Sequence, residues 1–300
     1  MKLPGLIVAP LTPFKKSDLS VDWKALEREI DYICNDCKAA MVSVAGVETS
    51  EYHYLSFADR KQLIKRTAEF VGTRSKLVVG VSHPNTRTVM ELIELAHGLG
   101  AEAAQVLAPQ RPYGGQPGTQ ELVDYFGAIA DKSPMPLLLY LNPGPGAEVG
   151  PDATVAITKI DKVKYVKESS RDLARVSRLI VEIDHAGHAR YFTTMQMLLA
   201  TLMLGGSGAT MPPPGCYIAS KIIDAFNAKD YEKAAKLQLE FALFPSKWMA
   251  KGLAPVMKAA MEIIDRPLGD PYPPFPAFTA EEKKGLAAHL KSTCLFRKDA

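Results

Sequence analysis

Eight short apolar runs, set in one series with stretches of helical periodicity between them, constrain this chain more than any other feature. The runs cover residues 6–9, 40–44, 77–81, 103–107, 137–140, 163–167, 190–193 and 208–211. Between them, residues 21–34, 57–71, 89–99, 120–131, 153–160, 172–183 and 195–204 place apolar side chains at helical spacing. Short β-branched and aliphatic runs read as buried strands, and the intervening periodicity reads as crossover helices. Strands joined by helices in a single series fit an α/β fold of the (β/α)8 TIM-barrel type. An open doubly wound sheet usually has fewer strands in series and a glycine-rich first turn, and no G-x-G-x-x-G occurs here.

After the eighth run, Met211-Pro212-Pro213-Pro214-Gly215 breaks the pattern, and helical periodicity follows over 217–226, 231–244, 254–264 and 280–290. One helix closes such a barrel, so the surplus predicts a C-terminal helical extension. The expected division is 1–215 for the barrel through strand eight and 216–300 for the closing helix and extension. Asp18 to Asp22 supply capping residues for the first helix, and Gly98 and Gly100 punctuate the third.

Composition excludes several functions. The net charge of +3 is spread along all 300 residues, so no basic patch implies nucleic acid. The opening Met1-Lys2-Leu3-Pro4-Gly5 shows no signal peptide, and no apolar stretch is long enough to span a membrane, so a cytoplasmic protein is expected. Cys34-Asn35-Asp36-Cys37 is formally C-x-x-C, but it falls at the tail of an amphipathic helix with no second pair. All four cysteines (Cys34, Cys37, Cys216, Cys294) are therefore expected as free thiols in a reducing compartment. The six histidines show no ligand spacing, and neither a metal nor a cofactor is expected.

Barrel enzymes gather their chemistry at the C-terminal strand ends. Here those ends carry Thr12, the Ala45-to-Glu51 loop, Pro109 to Tyr113, Tyr140 and Asn142, Lys167 to Ser170, Thr193 and Thr194, and Thr210. Lys167 is the sharpest of these. An ammonium at the end of a buried strand is costly unless it is paired or loses its proton, and a neutral lysine is a nucleophile toward carbonyl carbon. Lys164 is its rival, but three residues along a strand reverse the side. By that alternation Lys167 shares a face with Val163 and Tyr165, and Lys164 faces the helices. From spacing alone, Lys167 is equally well an ion-pair partner of Glu168. Tyr140 closes the neighbouring strand, where a phenol is either a proton shuttle or a half-buried aromatic. The loop Ala45-Gly46-Val47-Glu48-Thr49-Ser50-Glu51 offers backbone N–H groups and hydroxyls to a carboxylate, or simply caps the next helix. Arg111 is an anion donor by its chemistry.

With Val8-Ala9-Pro10-Leu11-Thr12-Pro13-Phe14, the Ser43-to-Leu55 loop, Tyr140-Leu141-Asn142-Pro143, Lys167-Glu168-Ser169-Ser170 and Leu204-Gly205-Gly206-Ser207-Gly208, nearly the whole chain resembles the dihydrodipicolinate synthase / N-acetylneuraminate lyase family of class I aldolases. The resemblance implies a homotetramer in which Lys167 forms a Schiff base with a 2-keto acid, commonly pyruvate, while Tyr140 relays protons. Thr49, Ser50 and Glu51 best match the family's Thr-Gly-Glu, with Gly46 and Val47 as the alternative carboxylate contacts, and Arg111, Thr193 and Thr210 are the further candidate substrate contacts at the strand ends. The chain also departs from the family pattern. The loop after strand two is about two residues longer than the usual Gly-x-Thr-Gly-Glu. Pro145 stands where dihydrodipicolinate synthases carry an arginine, and Pro109-Gln110-Arg111 replaces a Pro-aromatic-aromatic run. After strand seven, Thr193-Thr194-Met195 replaces a Gly-Asp-like pattern. These departures argue against aspartate-semialdehyde as second substrate. The altered relay leaves a non-catalytic keto-acid-binding relative as the alternative reading.

Overall fold

The computed structural model describes residues 5–297. Eight parallel strands close into a barrel in chain order: β1 (Gly5–Val8), β2 (Met41–Val44), β3 (Lys76–Gly80), β4 (Ala103–Leu107), β5 (Leu137–Leu141), β6 (Val163–Glu168), β7 (Arg190–Thr194) and β8 (Gly208–Met211). Each lies within one residue of its expected bounds. The crossover helices are α1 (Trp23–Asp31), α2 (Phe57–Val71), α3 (Thr86–Gly98), α4 (Thr119–Lys132), α5 (Pro151–Thr158), α6 (Leu173–Leu179) and α7 (Leu198–Met203). Beyond β8 come α8 (Cys216–Asn227), α9 (Tyr231–Leu239), α10 (Leu253–Ile263) and α11 (Ala280–Lys291). The strands are buried on both faces, as β5 shows with Leu137, Leu138, Leu139, Tyr140 and Leu141 all buried. That is why they read as continuous apolar runs. Among the described residues no helix is long and apolar enough to cross a membrane.

The chain folds into two compact units that are not contiguous in sequence. One comprises Lys76–Thr210 with the first strand's Gly5, and the other Leu6–Ser75 with the chain from Met211 onward. In the first unit β3 to β8 pair in succession. Gly208 begins β8 at φ 139°, where a Cβ would collide with the Gly5 carbonyl oxygen, so only glycine admits this approach. In the second unit β1 and β2 pair through Ile7↔Met41 and Val8↔Val42.

Local signals set most element ends. The Asp22 carboxylate accepts from the N–H groups of Lys24 and Ala25 at 3.1 Å, which caps α1 two residues later than periodicity alone predicts. The last turns of the first and sixth expected helices widen into π-helical turns, Tyr32–Asp36 and Ile180–His185. The helix expected over 231–244 stops at Leu239, and the chain proceeds through turns toward Pro245. Proline lacks a donor and disfavours helix in the residue before it.

Two expectations are corrected. Cys37 and Cys216 are joined in a disulfide, their Cα atoms 5.6 Å apart, while Cys34 and Cys294 remain free and buried. The partners are 179 residues apart in sequence, a pairing that spacing does not reveal. The second correction concerns β6. Its register against β5 slips between Leu137↔Val163 and Leu138↔Tyr165, so Lys164 is the extra, bulged residue. Tyr165 and Lys167 keep a common face, but Val163 does not share it.

Candidate active site

Tyr140 and Lys167 are register partners on β5 and β6. Laterally paired residues point to one side of a sheet, so the two side chains rise together at the C-terminal strand ends. The Lys167 Nζ stands 4.0 Å from the centre of the Tyr140 ring and donates to Ser169 Oγ at 2.6 Å. Both side chains belong to buried residues, 1% exposed for Tyr140 and 7% for Lys167. The rival Lys164 is half exposed and pairs with Asp161 at 3.1 Å, as expected of a bulged residue facing solvent. An open cleft at the N-terminal ends of β6 and β7 is lined by Lys164 and Arg190, each already paired with a carboxylate, and includes neither Lys167 nor Tyr140.

Glu168 does not take the role of ion-pair partner. Alternation turns it to the helical side, where Arg175 of α6 donates through Nε at 3.2 Å and through a terminal nitrogen at 3.1 Å. The other carboxylate oxygen accepts from the Ser170 N–H at 3.1 Å, and Arg175 also reaches the Val149 carbonyl at 2.7 Å. The segment after Lys167 is thereby fastened to the scaffold. Tyr191 lies on this side too, its hydroxyl buried without a hydrogen-bond partner. Burial first and the Glu168 charge second push its phenol far above the usual range.

Asn142, two residues beyond Tyr140, donates from Nδ2 to the tyrosine hydroxyl at 2.9 Å. The amide occupies an acceptor site of the phenol oxygen and directs the phenol's own proton elsewhere. The turn that carries Asn142 is held by Gln110, whose amide donates to the carbonyls of Gly144 at 2.6 Å and Gly146 at 2.9 Å. Gln110 thus joins the loop after β4 to the loop after β5, at a position where the family pattern has an aromatic. The adjacent Arg111 folds back onto Glu121 of α4 and the Gly114 carbonyl, and Tyr113 is 96% exposed.

Strand register sorts the threonines. Lys167 pairs with Phe192, Phe192 with Gly208, and Thr194 with Thr210, so Thr194 and Thr210 share the face of Lys167. Thr193 points the other way and meets Thr201 of α7, hydroxyl to hydroxyl at 2.6 Å. Thr210 is buried, and its hydroxyl has no protein partner. Sequence reasoning chose Thr193 over Thr194. Counting alternation from Lys167 across the paired strands identifies the inward one.

In the second unit, the loop after β2 is a tight, buried structure. Gly46, Val47, Thr49 and Ser50 are all buried. Residues Glu48–Ser50 form a 3-10 turn in which the Ser50 N–H donates to the Val47 carbonyl at 3.0 Å. The Ser50 hydroxyl donates to the Pro10 carbonyl at 2.8 Å, and the Thr12 hydroxyl donates to the Ser50 carbonyl. Ala45 and Glu51, at its two ends, adopt left-handed backbone with φ 50° and 51°. Such positions cost about 1 kcal/mol or more for non-glycine residues and persist only where surrounding structure enforces them. Among the described residues no group of three or more His, Cys, Asp or Glu is arranged to hold a metal ion.

Comparison with known proteins agrees with this architecture. The chain is 28% identical over 301 residues to the 4-hydroxy-tetrahydrodipicolinate synthase of Moorella thermoacetica, covering 98% of this chain and all of that one. It is 29% identical to the enzyme of the same name from Methanococcoides burtonii, covering 96% and 97%. The crystal structure of N-acetylneuraminate lyase from Mycoplasma synoviae superposes with a TM-score of 0.81 at 25% identity, covering 96% of each chain. Residues 2–293 match the Dihydrodipicolinate synthetase family, and the chain belongs to that family.

Proposed function

We propose that this chain is a Schiff-base lyase or aldolase that acts on pyruvate or another 2-keto acid. The observation that carries the reading is the buried Lys167 amine, 4.0 Å above the ring of its register partner Tyr140. In its neutral form Lys167 Nζ adds to the keto carbon and gives a carbinolamine. Tyr140 gives a proton to the departing hydroxyl, water leaves, and a protonated imine remains. That cation accepts the electron pair released when the adjacent C–C or C–H bond breaks, and the resulting enamine attacks an aldehyde in the reverse sense. Ser169 holds Nζ in place, and the Asn142 amide stabilises the phenolate that Tyr140 becomes after giving up its proton.

The loop with Gly46, Val47, Thr49 and Ser50 receives the keto-acid carboxylate, and the unpartnered Thr210 hydroxyl contacts substrate. Arg111 and Thr193 are engaged with Glu121 and Thr201, which favours inward-facing Thr194 for the substrate tail. Cleavage, condensation and dehydration of a keto-deoxy sugar acid share this imine. We place the enzyme in the cytoplasm, which cell fractionation tests, and as a homotetramer, which sedimentation tests directly.

Incubation with pyruvate, reduction with sodium borohydride and intact-mass measurement test the reading, with Lys167→Ala alongside. The expected result is a pyruvate-sized adduct on wild type that maps to Lys167 and is absent from the variant. No adduct from pyruvate or from a panel of longer 2-keto acids would overturn it in favour of a binding protein.

A further inference from the structure

Lys258, on α10 of the C-terminal extension, is 2% exposed and is the most enclosed cation of its unit among the described residues. Three groups surround its ammonium. Its Nζ lies 2.6 Å from Glu51 Oε2, donates to the Asp270 carbonyl at 2.9 Å, and faces the Phe14 ring at 4.5 Å from the centroid. A lysine whose ammonium is surrounded in this way serves as an anchor and is not a second nucleophile. What it anchors is the end of the loop after β2. Glu51 is the left-handed residue that terminates the Glu48–Ser50 turn, and its other oxygen accepts from the Tyr272 N–H at 2.7 Å. Tyr272 in turn stacks on Tyr54 with ring centroids 4.9 Å apart and planes 4° from parallel. Gly269 turns at φ 76° beneath this clasp, where a Cβ would collide with the Phe14 carbonyl oxygen, so the approach that brings the Asp270 carbonyl to Lys258 requires glycine.

Left to itself, a glutamate at φ 51° relaxes toward negative φ and carries Ser50 and Thr49 with it. Burying two charges is costly unless geometry and hydrogen bonds compensate, so an ion pair with both ends fully enclosed is a poor device for stability alone. Here it connects an otherwise strained loop end to a helix more than two hundred residues away in sequence.

We propose that Lys258 is a positioning residue of the active site. Through Glu51 it holds Thr49 and Ser50 in the conformation that receives the keto-acid carboxylate, so the C-terminal extension governs keto-acid affinity and leaves the amine chemistry to Lys167. The inference rests on the function proposed above.

The test is borohydride trapping of pyruvate as a function of its concentration. Lys258→Met alone leaves Glu51 buried and unpaired and risks failure to fold, so the paired variant Glu51→Gln/Lys258→Met, which buries no charge, is the decisive one. The expected result is a half-saturating pyruvate concentration about tenfold higher with a saturating trapping rate within about threefold of wild type, a split that general destabilisation does not produce. Wild-type hydrogen exchange supplies a second reading without any substitution. Saturating pyruvate slows exchange both in residues 45–51 and in the segment around Asp270 and Tyr272. Unchanged half-saturation in the folded pair, a saturating rate that falls in step with it, or protection confined to residues 45–51 overturns this inference alone. Absence of any adduct on wild type overturns the proposed function with it.

Discussion

Lys167 Nζ lies over the face of Tyr140, its direct register partner, at 4.0 Å from the ring centre. In the proposed mechanism the tyrosine offers the amine two separable things: a π-face beside Nζ and a hydroxyl to move protons. Tyr140→Phe keeps the first and removes the second. Borohydride trapping of pyruvate should still reach one adduct per chain, but about a hundredfold or more slowly. Trapping at the wild-type rate would remove Tyr140 from the proton path.

The Asn142 amide donates to the Tyr140 hydroxyl at 2.9 Å, and a donor stabilises the phenolate over the phenol. Asn142→Leu removes that donor, so the phenol holds its proton to higher pH. The alkaline limb of the pH–rate profile should shift upward, together with a lower rate on the plateau. An unmoved limb with only a lower plateau would show that Asn142 acts by packing.

Glu168 is 2% exposed and depends on Arg175 for its charge partner. Arg175→Met leaves a buried, unpaired carboxylate and should cost about 3–5 kcal/mol in urea unfolding. Glu168→Gln/Arg175→Met should recover most of that loss. If the single and paired variants are equally unstable, the ion pair is not what secures the end of β6.

Glu29 is fully buried on α1, accepting from the Leu11 N–H at 2.8 Å, while its second oxygen has no partner. Burial raises its pKa well above the ordinary 4.5, outweighing the Leu11 hydrogen bond and the Lys258 charge. The sign follows from proton binding. As pH rises above 4.5 the unfolded chain ionises while the folded one keeps its proton, so this residue makes stability fall with pH until the raised folded value is passed. Glu29→Gln should flatten that decline in unfolding free energy measured from pH 4 upward. A decline of unaltered slope would assign the proton to another group.

Four cysteines are present, and Cys37–Cys216 uses two of them. Protein purified without reductant and denatured should titrate two thiols, and four after reduction. Four thiols before reduction would mean that the pair is not oxidised in solution. Closing so long a loop constrains the unfolded chain, and Cys37→Ser should lower stability by about 2–5 kcal/mol in the oxidised protein.

By itself, the sequence of this protein determined the series of strands and helices, the Asp22 cap, and the neighbouring strand ends that carry Lys167 and Tyr140. Each of these is a local matter: burial on both faces writes unbroken apolar runs, a cap needs an oxygen beside free N–H groups, and a lysine ending a buried strand stands out against its neighbours. Tertiary structure alone decided which residues meet. The bulge at Lys164 undid the shared face of Val163, register turned Thr194 inward and Thr193 toward Thr201, and Arg175 took Glu168 away from Lys167. Cys37 found Cys216, and Glu51 found Lys258, across separations over which no periodicity runs. Pairings of that kind arise because folding packs segments distant in sequence against one another, where register and burial settle each side chain's partner.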